Sequence, residues 1–260
     1  MRLRNSFIAV DGIGERTERE LWQAGVTRWG AFDGPTVPGV GPTLAERIEA
    51  FVAEAKPRLE RGDADYFAAT LPDRERWRLF PDFRDRAAFL DIETTGLSPR
   101  RDEVTVVSVH RGGETRTLVR GQDLSRQALD RAIGDARLLV TYNGAQFDIP
   151  FLESEFALRS DHAHLDLRSP ARRLGLTGGL KAIERDLGIN RDRPDLSGRD
   201  AVRLWQRYAR RDDRDALDTL IDYNREDTRN LTALADTVVE GLHAEVFEPA
   251  VTGDPPSDQA

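Results

Sequence analysis

The segment Phe89-Leu-Asp-Ile-Glu-Thr-Thr-Gly-Leu97 constrains this chain more than any other. It reads as a core strand, predicted over Ala87–Glu93, yet Asp91 and Glu93 stand two apart within it. Side chains along a strand alternate between faces, so both carboxylates project from one side while Leu90 and Ile92 project from the other. Two acids side by side on a core strand are costly unless a counter-charge meets them. A divalent cation is such a counter-charge. The plainer alternative has Asp91 ending the strand and Glu93 standing in water. The chain of 260 residues has no cysteine, which excludes disulfide scaffolds, zinc ribbons and thiol catalysis. A metal would therefore be held by carboxylates, by the four histidines or through water.

Two further segments place acids in particular settings. In Thr141-Tyr-Asn-Gly-Ala-Gln-Phe-Asp-Ile149, Asn143-Gly144 ends a predicted strand (138–142) and Phe147-Asp148 opens a predicted helix (147–158). Taken alone, Asp148 reads equally well as a carboxylate held by the helix dipole. In Ile221-Asp-Tyr-Asn-Arg-Glu-Asp227, Tyr223 and Asp227 are four apart and share one helical face, whereas Glu226 points elsewhere. In isolation that pair also fits a surface position.

In this order, the three patterns (D-x-E in a first strand, N-G-x-x-F-D, Y-x-x-x-D) resemble the DEDD 3′–5′ exonucleases, which are built on a ribonuclease-H-like fold. The closer resemblance is to YprB-like nucleases, through WRLFPDF before the strand and through LDLRSPARRL and GGLKAIERDLGI between the motifs. It spans about 77–236. The resemblance implies an α/β fold, a mixed sheet flanked by helices. It implies catalysis by Asp91, Glu93, Asp148, Tyr223 and Asp227 with two Mg²⁺ or Mn²⁺ ions, Asp91 bridging both. Glu93 and Asp227 would complete the first ion's site, Asp148 would support the second, and Tyr223 would orient the attacking water. A histidine-type relative carries histidine five positions before the last aspartate; Asp222 stands there, so the tyrosine type is implied. Thr94, Leu97 and Asn143 would lie near the terminal nucleotide of a single-stranded DNA or RNA. The alternatives are an endonuclease using the same site and a non-catalytic nucleic-acid-binding module.

Ahead of this region, Gly12-Ile-Gly14 and Gly39-Val-Gly41 each read as a tight turn feeding a helix, and they resemble helix-hairpin-helix motifs. The resemblance implies that Gly12, Gly14, Gly39 and Gly41 present backbone N–H groups to phosphates. The cation that usually follows such a hairpin is diluted here, with Glu15 before Arg16 and Pro42-Thr43 after Gly41; a hairpin that only packs or binds protein is the alternative. The expected organisation is a small all-α helix-hairpin-helix module over 1–60, and a linker over 61–84 packing through Trp77, Leu79, Phe80 and Phe83. The catalytic domain follows over 85–240, then an acidic disordered tail over 241–260. Between the second and third motifs, Arg168, Arg172, Arg173, Lys181 and Arg185 form a cationic stretch that tracks a phosphate backbone or is simply a solvated face. His162 and His164 before Asp166 read as surface or capping residues, the alternative being a metal cluster for which no third soft ligand stands nearby.

The net charge of −8 looks wrong for a nucleic-acid binder, but the last 21 residues hold five acids and no Lys or Arg. The rest is near neutral, so local arrangement must decide. Lys56 and Lys181 are the only lysines among 38 cations, a depletion resembling proteins of salt-loving archaea. No apolar run approaches the roughly 18 residues of a spanning helix. Phe7–Val10 is too short for a signal peptide. The expected location is cytoplasmic, with no membrane partner.

Overall fold

The computed structural model describes residues 1–158, 162–193 and 195–253. Its centre is a mixed five-stranded sheet of order β3-β2-β1-β4-β5, made of β1 (Ala87–Thr94), β2 (Val104–Arg111), β3 (Glu114–Val119), β4 (Leu138–Thr141) and β5 (Ala163–Asp166). β1 runs antiparallel to β2 and parallel to β4; β2 pairs antiparallel with β3, and β4 parallel with β5. Gly112-Gly113, both at positive φ, makes the β2–β3 turn. This is the expected mixed sheet flanked by helices, preceded by a helical N-terminal segment.

The helices are α1 (Glu15–Gln23), α2 (Pro42–Glu60), α3 (Ala64–Thr70), α4 (Phe80–Phe83), α5 (Arg126–Ile133), α6 (Asp148–Phe156), α7 (Arg168–Arg173), α8 (Leu180–Asp186), α9 (Gly198–Arg211), α10 (Arg214–Val246) and α11 (Glu248–Thr252). Alternation along β1 sorts them into layers. Ala88, Leu90 and Ile92 join Leu129 and Ile133 of α5 and Phe151 and Leu152 of α6 in one apolar cluster. Ala87 and Phe89, on the other face, join Leu231, Leu234 and Val238 of α10. Asp91 and Glu93 follow in that second register, so the strand aims them at the upstream half of α10.

The same cluster continues into the N-terminal segment through Phe7, Leu21, Trp22, Trp29, Ile48 and Phe67. Trp77, Leu79, Phe80 and Phe83 are buried in it, carried by a 3₁₀ helix (Asp73–Leu79) and α4. Gly14 and Gly41 are the N-caps of α1 and α2. Gly12 (φ 94°) and Gly39 (φ 81°) take the left-handed turn before each cap, which explains the Gly-x-Gly spacing.

Within the mostly helical stretch after β4, β5 adds a strand whose buried Ala163 and Leu165 alternate with half-buried His164 and Asp166. One expectation needs correction. The expected disordered tail is helical over much of its length. α10 runs to Val246 and α11 follows, because Leu242, Val246 and Ala250 still find apolar partners. Residues 254–260 of that tail lie outside the described residues. Among the described residues, no helix is long and apolar enough to cross a membrane.

Candidate active site

Three elements deliver the acids. β1 supplies Asp91 and Glu93, the first turn of α6 supplies Asp148, and α10 supplies Tyr223 and Asp227 from one face. Carboxylate oxygens of Asp91, Glu93 and Asp227 all lie within 4.8 Å of one another. Glu93, Asp148, Tyr223 and Asp227 are buried, and Asp91 is half-buried. Asp148 stands close enough that its charge acts on both Asp91 and Glu93.

Burial shifts each of these acids upward. Burial, then the neighbouring carboxylates, pushes Asp91 and Glu93 well above the ordinary carboxylate range. Burial raises Asp148 to about 7, against the backbone N–H groups of Asp148 and Ile92 that favour its charge. Asp227 rises to about 6, again through burial, even with the Arg191 guanidinium beside it. The Tyr223 phenol is held above its ordinary value by burial and by Asp227, Glu93 and Asp91, so it keeps its proton.

The polar partners are few for so many acids. Asn224 Nδ2 donates to Asp91 Oδ2 at 2.6 Å. Arg191 donates to Asp227 and to buried Glu184. The Lys181 ammonium sits 4.3 Å from the Tyr223 ring centroid, buried and without a hydrogen-bond acceptor among the described residues. Among the described residues, Glu93 is left with no side-chain hydrogen bond and Asp91 with one. The donor set is therefore oxygen-only, crowded and short of counter-charge, which fits a hard divalent cation such as Mg²⁺ or Mn²⁺. Asp91, Glu93 and Asp227 would be its ligands, with Asp148 at the edge of the group.

The supporting turns explain the glycines of the motifs. Asn143 sits in the left-handed region (φ 64°), a conformation asparagine tolerates. A Cβ at Gly144 would fall 2.3 Å from Thr141 Oγ1, so only glycine fits. Asp166 Oδ1 accepts from the N–H of Asn143 (2.7 Å) and of Arg168 (3.0 Å), and Oδ2 accepts from Ala145 (3.0 Å). On the other side of Glu93, a Cβ at Gly96 would meet the Asp102 carboxylate at 2.5 Å. Asp102 in turn accepts from the Ser98 N–H at 2.9 Å, which holds the Thr94–Leu97 turn. Glu93, Thr94, Leu97 and Phe147 line a cavity of about 720 Å³ closed by the start of α9, where Leu97 is 85% exposed.

The structure thus brings Asp91, Glu93, Asp227 and Tyr223 together, with Asp148 beside them and Thr94 and Leu97 at the adjoining cavity. Asn143 faces a different groove, together with Asp166 and Arg168. Gly12, Gly14, Gly39 and Gly41 belong to the N-terminal hairpins, where Gly12 packs against Arg47 and Leu44 of α2. Sequence reasoning missed Asn224, Arg191 and Asp166. Asn224 had a readable signal, being three residues before Asp227 on the same helical face. Arg191 had none, because it reaches the site from a loop. His164, read as a surface or capping residue, is half-buried with Nε2 hydrogen-bonded to the Thr141 hydroxyl at 2.9 Å.

A family model for the RNase H superfamily matches residues 88–239. Among solved structures, the chain is similar to the family B DNA polymerase of the hyperthermophilic archaeon Pyrobaculum calidifontis, at 17% identity and TM-score 0.48, over 64% of this chain and 26% of the polymerase. It is similar to a nuclease in its apo form, at 23% identity and TM-score 0.45, over 65% of this chain and 79% of that one. It is also similar to Brucella melitensis NrnC with bound Mg²⁺, at 18% identity and TM-score 0.35, over 66% and 90%. The chain spans about a quarter of the polymerase. No curated protein sequence matches it.

Proposed function

The chain belongs to the RNase H superfamily, whose model spans residues 88–239, and from that premise we propose that it is a metal-dependent nuclease. More finely, the proposal is a 3′–5′ exonuclease of the DEDD type, tyrosine class and YprB-like, acting on single-stranded DNA or RNA. The observation that carries it is the convergence of Asp91, Glu93 and Asp227 within 4.8 Å beside a protonated, buried Tyr223. Residues 85–240 would form the catalytic domain. Residues 1–60 would form a helix-hairpin-helix module holding the phosphate backbone, joined through 61–84.

In this reading Asp91, Glu93 and Asp227 would hold the metal and Asp148 would support a second ion. Two such ions, when bound, steady the attacking and leaving oxygens of a phosphodiester. The chain's own groups do the positioning. Tyr223, kept protonated by burial and by the surrounding acids, directs the attacking water through its hydroxyl. Asn224 fixes one oxygen of Asp91. Arg191 orients Asp227. The cavity at Leu97 and Phe147 offers apolar surfaces on which a terminal base stacks, a contact worth roughly 1–3 kcal/mol per base.

End-labelled linear and closed circular single strands, of DNA and of RNA, test this with Mg²⁺ or Mn²⁺ and with chelator. The expected outcome is metal-dependent release of mononucleotides from free 3′ ends with circles left intact. Linearised circles would shift the assignment to an endonuclease, and no cleavage of any strand would leave only a binding module.

A further inference from the structure

A groove of about 740 Å³ runs between the 3₁₀ helix Asp73–Leu79 and α7. Arg74 and Arg76 line it from the first, and Arg168, Arg172 and Arg173 from the second. Against these five cations stand two lining acids, Asp73 and Asp166. Their charges are already engaged. Asp166 accepts three backbone N–H groups, and Asp73 pairs with Arg76 at 2.8 Å on the surface.

The arginines differ in how free they are. Arg173 is taken by buried Glu75 at 2.9 Å. Arg168 donates to the side chains of Asn143 and Gln146, holding the loop after β4. Arg74 makes an exposed bridge to Glu15 at 3.2 Å, of a kind that contributes little, and stands 3.9 Å from buried Glu75. Arg172 is exposed and makes no ion pair or side-chain hydrogen bond among the described residues. In a protein of net charge −8, a groove with three more cations than acids is a local reversal of sign.

Its position links it to the acids. The loop Asn143–Phe147 borders two hollows. Phe147 lines the cavity that holds Glu93 and Leu97, and Asn143, Ala145 and Gln146 line the arginine groove. A chain seated with its terminal unit in the first hollow crosses this loop and enters the second. We infer that the groove between Asp73–Leu79 and α7 is a track for the phosphodiester backbone of the strand upstream of the terminal nucleotide. The inference rests on the nuclease reading and adds to it, because it makes the segment before the catalytic region part of the substrate site. Arginine is suited to the task, since its planar fork matches phosphate oxygens and its charge does not titrate.

The test measures binding without turnover, with chelator present, by fluorescence anisotropy of labelled single strands of DNA and RNA. Wild type is compared with the triple variant Arg74→Gln/Arg76→Gln/Arg172→Gln, and with Arg172→Gln alone. Among the described residues Arg172 makes no ion pair or side-chain hydrogen bond whose loss would perturb folding, and thermal melting checks both variants. For a strand of about fifteen nucleotides, the triple variant is expected to bind about 10-fold or more weakly at about 0.1 M salt. The slope of log affinity against log salt flattens by about 2, at about 0.7 per phosphate contact on single strands. Arg172→Gln shows a smaller change of the same sign, and a mononucleotide, which occupies the terminal hollow alone, binds all three proteins alike. Unchanged long-strand affinity and salt slope in a folded triple variant overturn the track while leaving the nuclease reading in place. A wild-type protein that neither binds nor cleaves any strand overturns both.

Discussion

Two clusters of buried carboxylates among the described residues are built in opposite ways. Near the N-terminus, Glu18 Oε1 accepts from the backbone N–H groups of Phe7 (2.6 Å) and Ile8 (2.9 Å), and Arg78 meets both of its oxygens at 2.8 Å. Glu75 receives the same Arg78 at 2.7 Å, the Trp77 indole at 3.2 Å and Arg173 at 2.9 Å. Each acid there is matched by donors of fixed geometry, and the cluster ties the first hairpin to Asp73–Leu79 and α7. At β1 the acids outnumber their partners. Asn224 alone serves Asp91, Arg191 serves Asp227, and Glu93 has no hydrogen bond among the described residues. Saturated buried charge holds structure together, whereas the unsaturated buried charge at β1 is, in the proposed reading, a place for a cation.

The contrast breaks most readily by neutralising one acid at a time. Asp91→Asn or Asp227→Asn is expected to lower turnover on the order of 10³-fold or more, since each removes charge that a divalent ion needs. Without metal, these variants should melt no lower than wild type, because a repulsion has been removed. Near-normal cleavage by either variant under Mn²⁺ would show that the site is misassigned.

In the saturated cluster the expected signs reverse. Arg78→Met leaves Glu18 and Glu75 without their shared cation, and stability should fall by about 3–5 kcal/mol in denaturant titration while the folded fraction keeps its turnover. A stability change within about 0.5 kcal/mol, the range of ordinary surface substitutions, would mean that the cluster is not a clasp.

Tyr223→Phe tests a group that positions rather than ligates. Turnover should drop by about 10²-fold or less, with metal affinity retained. Loss of metal binding in this variant would contradict the role given to the hydroxyl.

The smallest effect is a pH trend. Folding raises Asp148 from its ordinary 3.8 to about 7, so the folded protein holds a proton that the unfolded chain has released. Its stabilisation is fully present below about pH 4 and is lost as pH rises through about 7. With chelator, wild type should lose stability relative to Asp148→Asn across that window. Parallel melting curves for the two proteins would show that burial does not tax this carboxylate.

Much of the site was legible because it follows from short-range periodicity. The alternation in β1 places Asp91 and Glu93 on one face, and the four-residue spacing puts Tyr223 with Asp227. The Asn143-Gly144 pair marks the turn that only a left-handed asparagine and a side-chain-free residue can make. Less legible were features created by packing over distance. β5 has only four residues, two of them half-buried polar groups whose roles depend on Thr141 and on the Asn143 loop. Arg191 gains its importance from meeting Asp227 across 36 positions. The acidic end of the chain hid two helical stretches, because Leu242, Val246 and Ala250 are too few to stand out among charges yet enough to dock. One apolar cluster, from Met1 to Ala250, runs across the boundary expected at residue 60.

The central claim is that the under-partnered acids at β1 hold divalent metal. Calorimetric titration of Mn²⁺ into wild type, Asp91→Asn and Arg78→Met, with melting temperatures recorded at each end point, tests it directly. The account predicts saturable binding and a metal-dependent rise in melting temperature for wild type and Arg78→Met, both abolished in Asp91→Asn. Equal binding heats and equal thermal shifts in wild type and Asp91→Asn would contradict it.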